Sequence, residues 1–174
     1  MADVRGYTQL TEALTPLEVT NVVNRFYEAG SHALLSADGL LGQIEGDLVM
    51  ALYVPGLAGK HDFRRKSVAG AMGLFKAVGY GQPDGNWLDV GVGIATGEEF
   101  VGNVGGGGYK DFTAIGDVTN TSARLSSAAA AGEILVDAAT YRDVADRYPD
   151  AEHRELELKG KSAPVEAYAI SVQT

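Results

Sequence analysis

Two aspartates near the start of the chain carry the chemistry needed to hold hard cations. Asp3 follows Ala2 at the end of an apparent first strand, just ahead of Arg5-Gly6-Tyr7-Thr8, and Asp47 sits in the short connection Glu45-Gly46-Asp47 between two apolar runs. If the first strand lies beside that connection, the two carboxylates converge. Carboxylate oxygens completed by water and phosphate oxygens are the usual way magnesium is held. A pair of ions so held activates a hydroxyl and stabilises the leaving oxygens of an in-line displacement. Each aspartate also has a plain structural use, since Gly-Asp is common in hairpin turns and Asp3 stands at a chain terminus. A second group lies downstream, where Asn120 and Arg124 are four residues apart and so share one face of a helix. A guanidinium neutralises charge on a transferring phosphoryl group, and an amide fixes a hydroxyl or ring oxygen. A solvated polar face, with Arg124 paired to a surface acid, is the other use of this spacing.

The elements that must position these residues follow from the apolar pattern. Thr15-Pro16-Leu17-Glu18 reads as a helix start with a capping box and proline at the first helical position. Leu17, Val19, Val22, Val23, Phe26, Tyr27 and Leu34 continue it at helical spacing until Asp38-Gly39. Two strands, 40–44 and 48–54, are joined too closely for a crossover and predict a hairpin. A loop at 55–60, a helix over 62–78 and a turn-rich stretch at 81–86 come next. Strands dominate 88–115, broken by Gly105 to Gly108, and a helix runs from Asp117 to 128–131. A strand at 133–136, a helix at 138–144 and strands at 155–159 and 165–172 finish the chain. The order strand, helix, strand, strand, helix, strand predicts an α+β protein with a ferredoxin-like βαββαβ core and a C-terminal extension. One domain spans residues 1–174.

Composition narrows the function. The 174 residues are 45% hydrophobic and 21% charged, with a net charge of −9. Such a chain buries a core, and its charge disfavours nucleic acid as a partner. The absence of cysteine excludes disulfides and thiolate zinc sites. No apolar run approaches the ~20 residues of a membrane helix, and no signal-peptide core opens the chain. The expected location is cytoplasmic, without membrane attachment.

Several stretches together resemble the class III adenylyl/guanylyl cyclase catalytic domain. Ala2-Asp3-Val4-Arg5-Gly6-Tyr7-Thr8 is similar to that family's opening motif, and Gly46-Asp47-Leu48-Val49-Met50-Ala51 to its second aspartate and following strand. Gly91-Val92-Gly93-Ile94-Ala95-Thr96-Gly97 resembles its central strand. Phe112 to Asn120 with Ala123-Arg124-Leu125 resembles its longest signature, and Leu158-Lys159-Gly160 its C-terminal Lys-Gly. The resemblance covers nearly the whole chain. It implies conversion of a nucleoside triphosphate, ATP favoured, to a 3′,5′-cyclic nucleotide and pyrophosphate at a homodimer interface. By the same resemblance, Asp3, Asp47 and the Val4 carbonyl of one protomer bind two Mg²⁺ or Mn²⁺ ions. Asn120 then positions the ribose from the other protomer, Arg124 stabilises charge at the α-phosphate, and Lys159 reaches the terminal phosphates. Gly46, Tyr7 and Thr8 would line the substrate.

The chain departs from the family's pattern in three places. The base-reading positions hold Gln43 and Thr113, both neutral, where adenylyl cyclases usually carry Lys and Asp. Glu45 stands at a usually apolar place and by strand alternation shares a face with Gln43 and Asp47. Only Met1 and Ala2 precede Asp3, which predicts a shortened first strand. These departures motivate an alternative, a cyclase-like module that binds nucleotide or a partner with little or no turnover. Two glycine patterns are set aside. Gly91-x-Gly93-x-x-x-Gly97 lacks the following helix that a dinucleotide fingerprint needs, and Gly160-Lys161-Ser162 has Glu155 where a phosphate loop needs glycine. His32, His61 and His153 are too scattered for zinc, and Arg64-Arg65-Lys66 reads as a solvated helix face.

Overall fold

The computed structural model describes residues 1–108, 110–161 and 163–172; Ser162 of the set-aside glycine pattern lies outside them. The chain runs through β1 (Ala2–Val4), α1 (Tyr7–Ala13), α2 (Pro16–Ser36), β2 (Leu40–Glu45), β3 (Leu48–Leu52), α3 (Pro55–Ala58) and α4 (Phe63–Ala77). It continues through β4 (Val90–Ile94), β5 (Phe100–Val104), β6 (Asp111–Ile115), α5 (Asp117–Ala128), β7 (Glu133–Asp137), α6 (Ala138–Tyr141), β8 (Glu152–Leu156) and β9 (Val165–Ser171). Seven strands form one sheet in the order β2-β3-β1-β4-β7-β9-β8, and β5 and β6 form a separate ribbon.

The first four sheet strands, antiparallel to one another, with α2 and α4 as their two helices, are the expected βαββαβ core. α5 then crosses over to place β7 parallel to β4, and β9 and β8 extend the sheet by antiparallel pairing. Alternation of side chains along the strands divides the interior into two layers. Val90, Val92, Ile94, Ile134 and Val136 pack in the larger core with Phe26, Leu74 and Phe75 of α2 and α4. Leu135, Ala167 and Ala169 point the other way, onto Leu125 and Ala129 at the α5 side.

Local signals set several boundaries. Thr15 caps α2 with the full capping box: its hydroxyl accepts from the Glu18 N–H, and the Glu18 carboxylate accepts from the Thr15 N–H at 2.8 Å. Helix α1 was not expected. Its N-cap is Gly6 in the left-handed region at φ 68°, without a side-chain cap, so neither a capping residue nor a long apolar stripe announces it. Residues 55–58, expected as loop, form the single turn α3. β8 begins three residues earlier than expected, at Glu152, because its charged residues hide the strand period. Arg154 of that strand pairs with the buried Glu133 of β7 at 2.9 Å. Arg64, Arg65 and Lys66 are not a purely solvated face: they pair with Asp143, Asp146 and Asp38 at 2.8, 3.1 and 2.6 Å, fastening α4 to its neighbours. Among the described residues no helix is long and apolar enough to cross a membrane.

Candidate functional site

The two early aspartates meet at one end of the sheet. β1 pairs with β3 so that Asp3 stands opposite Leu48, and the Val4 N–H donates to the Asp47 carbonyl at 3.0 Å. Asp47 occupies a two-residue connection, because Glu45 and Leu48 are paired across it. Gly46 supplies the turn with φ 58°, a conformation that side-chain-bearing residues seldom adopt. The Asp47 carboxylate lies beside that of Asp3. Burial raises the Asp3 carboxyl above its ordinary value; Arg5 pulls it back down, and Asp47 pushes it up again. Like charges held together disfavour ionisation of both unless a cation intervenes. The Arg5 Nη2 is 2.7 Å from Asp3 Oδ2.

Tyr27 of α2 closes one side of this pair. Its hydroxyl donates to the Gly46 carbonyl at 2.7 Å. Burial raises its pKa, as do Tyr7, Asp47 and Glu45 around it. The helical stripe had marked Tyr27 only as core, and Arg5 only as part of a motif; the signal for both was proximity across the fold, which spacing does not carry. Thr8 lies exposed in the first turn of α1, its carbonyl accepting from the Thr11 hydroxyl at 2.8 Å. On the hairpin, the Gln43 amide donates to the Glu45 carboxylate at 2.8 Å, so those two side chains do share a face. Thr113 lies in β6, opposite Gly102 of β5, and β6 approaches β2.

A second cluster gathers around α5. Asn120 is exposed and Arg124 half-buried. The Arg124 Nη2 is 3.0 Å from the place a β-carbon on Gly160 would occupy. That loop also carries Lys159, and Lys161 secures it to α5 through an ion pair to Asp117 at 2.5 Å. Arg124 and the loop that carries Lys159 thus lie together, with Asn120 one turn earlier on α5. Among the described residues no ion pair joins this group to Asp3 or Asp47.

The donor set at Asp3 and Asp47 fits a divalent metal of the magnesium class: two hard carboxylates, one desolvated, with backbone oxygens beside them. Among the described residues no group of three or more His, Asp or Glu side chains forms a closed metal cage. An open pair of this kind leaves coordination positions for phosphate and water. A cavity of about 550 Å³ lies elsewhere. It is bordered by Met1, Met50, Tyr53, Ile94 and Thr96 and is mainly apolar, next to the start of the three-residue β1. It contains none of the residues discussed above as metal or phosphate binders.

Residues 1–172 match the sequence model of the adenylate and guanylate cyclase catalytic domain. An adenylate cyclase of Anabaena cylindrica is 28% identical over 137 residues, covering 71% of this chain and 25% of that protein. An uncharacterized protein of Mycobacterium tuberculosis is 32% identical over 169 residues, covering 97% of this chain and 39% of that one. The chain therefore spans between 25% and 39% of the length of these two relatives. Among solved structures, the adenylyl cyclase CyaB from P. aeruginosa superposes with a TM-score of 0.83 at 29% identity, covering 99% of this chain and 91% of that one.

Proposed function

Because the chain belongs to the adenylate and guanylate cyclase catalytic-domain family, we propose that it converts a nucleoside triphosphate, ATP favoured, into a 3′,5′-cyclic nucleotide and pyrophosphate, working as a homodimer. The observation that carries this reading is the pairing of the two early carboxylates. The carboxylates of Asp3 and Asp47 stand side by side, while Asn120 and Arg124 project from a helix with no ion pair to them. A two-fold pairing of chains supplies each carboxylate pair with a cationic helix from its partner, giving two equivalent sites. Phe100 and Ile115, paired across the β5–β6 ribbon, are exposed together, and apolar side chains exposed on one surface favour such an interface.

In this mechanism Asp3 and Asp47, with the Val4 carbonyl, would hold two Mg²⁺ or Mn²⁺ ions. Those ions, when bound, supply acidification of the ribose 3′-hydroxyl and charge neutralisation on the phosphates. Asn120 of the partner chain holds the ribose so that its 3′-oxygen lies in line with the α-phosphorus; positioning of this kind is a large share of phosphoryl-transfer catalysis. Arg124 donates to the α-phosphate oxygens as negative charge builds there, and Lys159 holds the departing pyrophosphate. Gly46, Tyr7 and Thr8 would line the triphosphate and exclude water from it. Gln43, its amide oriented by Glu45, presents a donor and an acceptor to the base, and Thr113 adds a hydroxyl.

The neutral pair Gln43 and Thr113 also favours a second reading, a nucleotide-binding module with little turnover. One experiment separates them: incubation of the purified chain with ATP, GTP, CTP and UTP singly, with Mn²⁺ or Mg²⁺, and mass-spectrometric detection of products. A cyclic nucleotide and pyrophosphate from at least one triphosphate is the expected result. Binding of nucleotide without cyclic product under every condition leaves the second reading standing.

A further inference from the structure

Arg5 is the one cation paired with either carboxylate among the described residues. Its side chain is 21% exposed and that of Asp3 20% exposed, so the contact is shielded from solvent on most sides. The guanidinium does more than form an ion pair. Its Nη2 reaches both Asp3 Oδ2 at 2.7 Å and the Asp3 carbonyl at 3.2 Å, and its Nε adds a 3.3 Å contact to that carbonyl. Its remaining arm, Nη1, donates to the Ser127 carbonyl at 3.1 Å. Ser127 belongs to the last turn of α5, where unsatisfied carbonyls carry partial negative charge. The stem passes over Gly91, where a β-carbon would stand 3.1 Å from Nε. One rigid fork therefore holds a carboxylate at one end and a helix terminus at the other.

We propose that Arg5 is the internal counter-ion of the carboxylate pair, that it yields Asp3 Oδ2 when a divalent cation binds, and that this exchange alters its hold on the last turn of α5. This rests on the reading of Asp3 and Asp47 as cation ligands. A guanidinium and a divalent cation compete for the same oxygen and repel each other, so Arg5 lowers cation affinity while keeping the cation-free pair from repelling itself apart. Since α5 also carries Asn120 and Arg124, Arg5 connects the carboxylates of one site with the helix lent to the other. It is a positioning residue, acting through Asp3 and Ser127.

The test uses the full chain without nucleotide. Mn²⁺ is titrated and read by water-proton relaxation, and hydrogen exchange of the amides of α5 is followed with and without Mn²⁺. Arg5→Gln is expected to bind Mn²⁺ about fivefold more tightly, which is the affinity equivalent of one partly exposed ion pair. Its α5 amides lose the Mn²⁺ response seen in the unaltered chain. Arg5→Lys keeps the charge but not the fork and is expected to give an intermediate affinity with the α5 response lost; it also serves if Arg5→Gln fails to fold. Unchanged or weaker Mn²⁺ binding in both variants, or an α5 response that survives in both, overturns the proposal. Binding by the unaltered chain that is lost in Asp47→Asn, together with unchanged Arg5 variants, defeats this inference alone. Absence of Mn²⁺ binding by the unaltered chain defeats the cation-site reading and this inference with it.

Discussion

Asp3 and Asp47 set the chemistry by being uncomfortable together. Burial and the neighbouring carboxylate both raise the Asp3 pKa, against the opposing pull of Arg5. The folded chain thus holds a proton at Asp3 more firmly than the unfolded chain does. The associated stability is complete below the ordinary carboxylate value and is lost as pH rises through the higher folded value. Asp47→Asn removes the repulsion. The variant is expected to melt higher than the unaltered chain at neutral pH in the absence of metal, and to show a shallower loss of stability with rising pH through the carboxylate range. Calorimetry across that range checks both. The same substitution is expected to lower pyrophosphate release by at least ~100-fold, the low end of the cost of deleting one electrostatic stabiliser. A gain in stability paired with a loss of activity is the signature of a functional site; a loss of both would mark Asp47 as structural.

At the scale of elements, the packing of α5 on β4 decides where Asn120 and Arg124 stand. Gly93 permits it: a β-carbon there would lie 2.1 Å from the Ser126 nitrogen and 2.3 Å from the Ser122 carbonyl oxygen. Both are backbone atoms that cannot rotate away. The Ser122 hydroxyl meanwhile donates to the Gly93 carbonyl at 2.9 Å, binding helix to strand. Gly93→Ala is expected to cost ~3 kcal/mol or more, at the upper end for overpacking a tight core, with α5 lifted from the sheet. Urea unfolding measures the loss. These contacts explain why Gly91-x-Gly93 looks like a nucleotide fingerprint and is none: the glycines admit a helix backbone.

The strands of the βαββ part and the capped start of α2 were legible because alternation, proline position and the capping box are local signals. β8 was shifted because a charged edge strand has no apolar period, and edge strands are commonly charged to resist further pairing. The approach of Asp3 to Asp47 followed from strand order. The Arg5 fork and the Tyr27 hydroxyl did not, because long side chains choose partners only once the chain has closed around them.

For the molecule as a whole, the central claim is that neither half-site is complete in one chain. Sequence resemblance implies this division, and among the described residues no ion pair joins Arg124 to Asp3 or Asp47 within one chain. The most direct measurement joins two defective chains. Asp47→Asn and Arg124→Ala are co-expressed with different affinity tags, and the doubly tagged heterodimer is isolated and assayed for cyclic nucleotide formation. Each homodimer is expected to be nearly inactive. In a two-fold dimer with shared sites, the heterodimer carries both lesions in one site and none in the other, so it recovers about half the activity of the unaltered dimer. A heterodimer as inactive as its parents would show that the carboxylates and the arginine act within a single chain, contradicting the account.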